Sequence, residues 1–365
     1  MKIKELAHYL ESIAPLAYQE SYDNSGLIVG EYDQEISKAL ISLDCTEDVV
    51  DEAIAKGCDI IVSHHPIVFK GIKKFNNSNY VERTVIKAIK NNIALYAIHT
   101  NLDNVLGGVS SKIAEKLELI NTAILSPKKG LLKKLVVYVP RAHVEEVRQA
   151  LFDAGAGSIG DYDQCSFNTA GYGTFRPLDG ANPTIGQVGT QERVEETKIE
   201  VVFPVTIERQ LLVAMYASHP YEEVAYSILS LDNKLQYVGS GVIGNLDQPI
   251  EEQEFLAYLK SKLNLNVIRH TKLLGKPISR VAVCGGAGGF LLSDAKRSGA
   301  DVFVTADYKY HEFFDAEDNI IIADIGHFES EQFTQELLLD IIKKKFVNFA
   351  VLITETDTNP IKYYS

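Results

Sequence analysis

Short apolar runs that alternate with helical segments, once near the start of the chain and again near its end, are the pattern that most limits how this sequence can fold. In the first third, residues 38–43 (KALISL), 59–63 (DIIVS) and 94–99 (ALYAIH) read as strands, with helical spacing over 47–56 and 80–91 between them. Thr46 stands at the N-cap position of the first of these helices and Gly57 at its close. The last third repeats the rhythm, with strands expected at 280–284 (RVAVC), 301–305 (DVFVT) and 319–324 (NIIIAD), a helix over 291–297 and a long one over 329–345. A β-α-β order of this kind implies α/β architecture, a parallel or mixed sheet covered by helices.

The middle breaks the rhythm. Strands are expected at 135–139, 164–168, 200–203 and 224–231, helices at 144–154 and 208–217, and a long loop over the Gly/Pro-rich residues 171–189. Two β-α-β halves in succession suggest a ferredoxin-like α+β module. The turn-rich points Ser126-Pro127 and Asp232-Asn233 bound it, so it reads as an insertion splitting one larger domain. The expected organisation is residues 1–126 and 233–365 as the two halves of one core, with 127–232 inserted.

Composition removes several function classes. With 46% hydrophobic residues, the chain can bury a core. It has no apolar run of membrane-spanning length, and its start reads as an amphipathic helix interrupted by Glu5, His8 and Glu11, so a cytoplasmic location is expected. A net charge of −13 argues against nucleic acid as a partner. The basic clusters, Lys128-Lys129 with Lys133-Lys134 and residues 343–345, read as solvated faces. Cys45, Cys58, Cys165 and Cys284 form no C-x-x-C pair and are expected as reduced thiols.

Chemistry concentrates where strands end. Ser63-His64-His65-Pro66 follows one strand, His99-Thr100-Asn101-Leu102-Asp103 another, and Gly326-His327-Phe328-Glu329-Ser330-Glu331 a third. In open α/β sheets ligands bind outside the carboxyl ends of the strands. His327 and Glu331, four apart, can share one face of a helical turn. Imidazole with carboxylate suits Zn, Fe or Mn, and three histidines with two acids exceed what one tetrahedral ion needs. Two divalent ions per chain with one bridging carboxylate would use His64, His65, Asp103, His327 and Glu331. His99 is expected to orient Asp103 or a bound substrate and is a candidate, with His311, for moving the proton, with direct ligation the alternative. Asp307 and His311, four apart after a strand, are candidate acid/base groups, against the plainer reading of an ion pair at a helix start. Gly285-Gly286-Ala287-Gly288-Gly289 lacks the Lys-Ser/Thr of a phosphate-binding loop and reads as a tight turn for close packing.

These pieces, with Tyr22-Asp23-Asn24-Ser25-Gly26-Leu27, resemble the GTP cyclohydrolase I type 2 homologues, the NIF-three-like dinuclear-metal proteins. The inserted module, with His219-Pro220-Tyr221-Glu222, is similar to a PII/CutA-like domain. The resemblance implies a toroidal homohexamer, the five residues above as metal ligands, Glu331 as the bridging group, and a metal-dependent hydrolase acting on a nucleotide-like small molecule. The partition of ligands between the two ions stays open in the sequence, one arrangement giving His65 and Asp103 to one ion and His64 and His327 to the other. The alternative is a metal-binding or ligand-sensing regulatory protein without turnover. Tyr22 stands where the family often has Trp, and Thr305-Ala306-Asp307 where Thr-Gly-Glu is common.

Overall fold

The computed structural model describes residues 1–364, which divide into two compact units, residues 1–127 with 236–364, and Lys128–Leu235. The larger unit is mixed α/β and holds two sheets. The first, of five strands, runs in the order Gly26–Val29, Ala94–Ala97, Ile60–Ser63, Lys38–Ser42, Ala350–Ile353. All but the Gly26–Val29 edge strand are parallel, the topology that β-α-β repetition demands. Ser42, Ser63 and Ala97 stand in register, so the residues after each strand emerge along one edge. Gly26 pairs with Ala97 in the antiparallel edge strand, which brings the residues just before Gly26 to that same edge.

Local chemistry explains these elements. The helix Glu47–Lys56 starts where Thr46 Oγ1 accepts from the Val49 N–H at 3.3 Å. It ends at Gly57, whose φ of 63° lies in the left-handed region that glycine enters without strain. Its buried face, Val49, Val50 and Ala53, packs with Leu40, Ile61 and Leu95 of the sheet.

The second sheet has six strands, ordered Arg269–His270, Ile321–Asp324, Val302–Ala306, Ile278–Ala287, Leu235–Ile250, Ile120–Lys128. Its centre is parallel, with Thr305 level with Asp324, and both faces are covered by apolar clusters. The long closing helix differs from expectation: it is a short helix His327–Glu331, then a second, Thr334–Lys345. Glu331 therefore ends its own short element, with its carboxylate turned inward.

The smaller unit has the order β-α-β-β-α-β, with sheet order Phe167–Phe175, Glu192–Pro204, Leu132–Pro140, Tyr226–Leu231, every pair antiparallel. That is the ferredoxin-like arrangement. Helices Val144–Asp153 and Glu208–Ser218 cover one face over Leu135, Val137, Ile199 and Val201. The strand Phe167–Phe175 runs through Gly171 and Gly173, residues whose composition suggested loop. Nine successive partners on Glu192–Pro204 supply the backbone bonds that override the glycine penalty. The irregular stretch begins only at Arg176.

No helix among the described residues is long and apolar enough to cross a membrane. All four cysteines are unpaired.

Glu52 ties the chain end to the first sheet. It accepts from Lys56 at 2.7 Å, from the Glu355 N–H at 2.8 Å and from Thr356 Oγ1 at 2.6 Å. Burial alone would raise its pKa, but Lys56, Thr354 and Thr356 outweigh it and hold the carboxyl at about 2, against 4.5 ordinarily. A depressed folded pKa contributes stability that is complete above the ordinary value and fades as pH falls toward 2. We expect Glu52→Gln to cost about 1–3 kcal/mol at pH 7. The gap between the urea midpoints of wild type and variant should narrow steadily below about pH 4.5.

Candidate metal centre

The strand ends converge on Glu331. His64 is fully buried, and its Nδ1 lies 2.9 Å from the Ile98 carbonyl oxygen. A carbonyl can only accept, so Nδ1 carries the proton and Nε2 presents its lone pair. The other three histidines repeat the device with carboxylates: His65 Nδ1 to Asp44 at 2.8 Å, His99 Nδ1 to Asp23 at 2.8 Å, and His327 Nδ1 to Asp307 at 2.7 Å. Four imidazoles are thus held by one nitrogen and offer the other.

The offered atoms meet. His65 Nε2 and His327 Nε2 lie 3.0 and 3.2 Å from Glu331 Oε2, and His64 Nε2 lies 3.8 Å from Glu331 Oε1 and 3.6 Å from Asp103 Oδ1. Three groups bring their ligand atoms within 4.8 Å of one another: His64, His65 and His99; His65, His327 and Glu331; and His64, Asp103 and Glu331. Glu331 is common to the last two. His65 thus lies beside His327, and His64 beside Asp103.

Electrostatics within the cluster are set by burial and by the close charges. Burial keeps the His64 pKa below its ordinary value, so the ring stays neutral. Burial also pulls His65 down, but the hydrogen bonds and charges of Asp44 and Glu331 win and lift it to about 10. For His327, burial is likewise outweighed, by Asp307 and Glu331, and the pKa stands near 11. Burial and the Glu331 charge push Asp103 well above the usual carboxylate range. Burial would raise Glu331 as well, yet the histidines around it hold it well below.

Protons are a poor filling for this arrangement. His65 Nε2 and His327 Nε2 lie 3.3 Å apart and both point at Glu331 Oε2, so two ring protons would crowd a single carboxylate oxygen. His64 Nε2, Asp103 Oδ1 and Glu331 Oε2 are buried without an aligned hydrogen-bond partner. An unpartnered buried polar atom costs about 1–3 kcal/mol, and three in one cluster, all of ligand type, match a divalent cation's demands. These buried groups could hold a metal ion.

Several contributors were not read from sequence. Asp44, two residues past the strand Lys38–Ser42, carried the same strand-end signal as the histidines. Asp23 lay inside the motif at residues 22–27 but was given no role; His99 and Thr100 hold its carboxyl well below its ordinary pKa against the effect of burial. Asp307 is bonded to His327 and has a φ of 59°, a left-handed conformation that Asp tolerates better than most residues. His311 stands apart: its ring packs against Tyr310 and Phe314 and does not line the cavity over the cluster.

That cavity holds about 500 Å³. Tyr22, Phe69, Phe290 and Ile361 give it apolar walls, and His99 and Asn104 line it as well. The glycine run forms part of the wall by packing closely. The Gly286 N–H donates to Ser330 Oγ at 2.9 Å, and Thr305 Oγ1 donates to the Gly286 carbonyl at 3.1 Å.

Fold and site together define a mixed α/β protein in which buried His, Asp and Glu side chains gather at strand ends in groups suited to metal. The profile of the Duf34/NIF3 (NGG1p interacting factor 3) family matches residues 1–360, and the chain belongs to that family. It is 41% identical to a Bacillus subtilis protein named GTP cyclohydrolase 1 type 2 homolog, over 99% of this chain and 98% of that one. A Staphylococcus epidermidis protein of the same name is 35% identical over 100% of both chains. Among solved structures, a Bacillus cereus protein related to NIF3 superposes with a TM-score of 0.84 at 39% identity, covering 100% of this chain and 99% of its own. A Staphylococcus aureus protein reaches a TM-score of 0.79 at 30% identity, with the same coverage.

Gly286 tests the packing directly. Its φ is +62°, and a Cβ there would stand 2.4 Å from Glu331 Oε1. Gly286→Ala should destabilise the protein by about 1–3 kcal/mol in urea unfolding. Gly275→Ala, also at positive φ (+75°) but with nothing within 4 Å, should cost less.

Proposed function

We propose that the protein is a hydrolase that uses two divalent ions per chain, Zn, Fe or Mn, to act on a nucleotide-like substrate. The observation carrying this reading is the set of four imidazoles, each bonded at Nδ1 to an oxygen, three of which turn Nε2 toward a buried carboxylate shared by two ligand groups. His65, His327 and Glu331 would hold one ion and His64, Asp103 and Glu331 the other. When bound, such a pair supplies Lewis acidity and lowers the pKa of a water toward about 7.

The chain's own residues would do the rest. Asp44, Asp307 and the Ile98 carbonyl fix the imidazole tautomers and ring orientations. His99, backed by Asp23 and lining the cavity, fits the role of moving a proton between water and the departing group. Tyr22 and Phe69, with ring centroids 6.1 Å apart, offer faces to a planar ring. For a cyclohydrolase-like reaction on a purine nucleotide, C8 of the ring would be the carbon attacked. Asp307, expected as an acid/base group, is better read as the partner that positions His327, and His311 has no part in this scheme.

A second reading has its own support. The smaller unit, read as a PII/CutA-like insertion, has a cavity of about 670 Å³ walled by Tyr138, Tyr172, Phe175 and Tyr221. A ligand bound there would make the protein a sensor. Assembly as a toroidal homohexamer in the cytoplasm belongs to either reading.

Elemental analysis with anomalous scattering, on protein purified without added metal, should find two ions per chain at the Glu331 cluster. Turnover of GTP or a related nucleotide should fall to background in His65→Ala. An empty cluster, or equal rates for the two proteins across a nucleotide panel, would sink the hydrolase. Asp307→Asn keeps the hydrogen-bond acceptor but removes its charge, and should weaken ion affinity about 10–100-fold in competition with a chelator.

A further inference from the structure

The cavity over the cluster is lined by Glu20, Asp44, Asp103 and Glu331 but by no lysine or arginine. A second cavity, of about 800 Å³, adjoins it and shares Asp44, His65, Pro66, Phe69 and Pro360 as walls. Its outer wall is residues 70–74, Lys-Gly-Ile-Lys-Lys, in an exposed stretch without helix or strand that follows His65-Pro66 directly. Lys70, Lys73 and Lys74 all line it.

Those lysines differ from most others on the chain. Lys56 meets Glu52 at 2.7 Å and Lys87 meets Asp51 at 2.7 Å, as expected where carboxylates outnumber cations 49 to 36. Among the described residues, Lys70, Lys73 and Lys74 meet no carboxylate. Acids are near but engaged. Asp44 accepts from His65 and from Thr358 Oγ1 at 2.8 Å. Glu82 accepts the N–H groups of Ser78 and Asn76 at 2.9 and 3.1 Å. Three neighbouring ammonium groups that repel one another, in a protein of net charge −13, make a surface left positive beside a cavity.

We propose that this second cavity is an anion subsite, built by Lys70, Lys73 and Lys74, that takes the phosphate-bearing end of a substrate whose other end reaches the histidine cluster. The half of the statement that concerns the cluster rests on the hydrolase reading; the anion subsite does not. Compact, strongly hydrated ammonium groups suit phosphate held near the surface, without the bidentate geometry of arginine. The division explains how a phosphorylated molecule can approach a centre ringed with carboxylates: the charged tail stays outside while the planar part enters between the aromatic walls.

Inorganic pyrophosphate binding to chelator-treated protein, measured calorimetrically at low ionic strength, tests the subsite without any metal. The triple variant Lys70→Ala, Lys73→Ala, Lys74→Ala should bind at least about tenfold more weakly, and added salt should erase the difference. Lys343→Ala, Lys344→Ala, Lys345→Ala, which removes another run of three lysines, should bind like wild type. Equal losses in both triples would mean diffuse attraction, and no loss in the first, or no binding by wild type, would equally overturn the proposal. Metal content is read separately. If wild type holds no ion while pyrophosphate binding behaves as stated, the hydrolase reading falls and the anion subsite stands.

Discussion

The structure of the site depends on one repeated hydrogen bond, an imidazole Nδ1–H given to an oxygen acceptor. Four histidines make it, to the Ile98 carbonyl, Asp44, Asp23 and Asp307. The bond sets the tautomer, stops the ring from flipping, and turns Nε2 inward. Without it, four adjacent rings could satisfy themselves by bonding to water or to each other. With it, their free nitrogens have only Glu331, Asp103 and whatever lies between them. The shared carboxylate and the unpartnered atoms follow from this one constraint.

Parallel strands make the constraint possible. Because Ser42, Ser63 and Ala97 are in register, Asp44, His64, His65 and His99 leave the sheet within a few residues of one line. Adjacent His64 and His65 would diverge on a continuing strand. The strand ends at Ser63, and His64 turns to the carbonyl of Ile98 while His65 turns to Asp44. The antiparallel edge strand adds Asp23 from the other chain direction, since Gly26 sits beside Ala97. The second sheet brings His327 and Glu331 after Asp324 by the same rule.

What could be read in the sequence was whatever residue type and strand periodicity jointly mark. His64, His65, Asp103, His327 and Glu331 were visible as metal-type side chains just past apolar runs, and they do come together. The grouping among them was not visible, because it depends on how two sheets present their edges. Asp44 and Asp23 were missed because a lone aspartate at a turn is common and its meaning lies in the ring it faces. His311 was suggested by spacing alone; Asp307 has a φ of 59° and the next helical element, a 3-10 helix, begins only at Tyr310, so a helical i to i+4 argument did not apply. The strand through Gly171 and Gly173 was hidden because its support is all on a partner strand distant in sequence.

The glycine run at 285–289 shows why composition alone misleads near a site. A glycine-rich loop between strand and helix invites a phosphate cradle, but Gly285, Gly286 and Gly288 are short of space. A Cβ at Gly285 would meet Val109 at 2.7 Å, and one at Gly288 would meet Thr305 Oγ1 at 2.3 Å. Their backbone groups are spent on Ser330 and Thr305. Bare backbone here lets the strand Ile278–Ala287 press against the short helix His327–Glu331, so that Glu331 lies within reach of three histidines on its other side. These backbone groups are engaged within the protein, whereas Lys70, Lys73 and Lys74 line the adjoining cavity that His65 and Pro66 also wall.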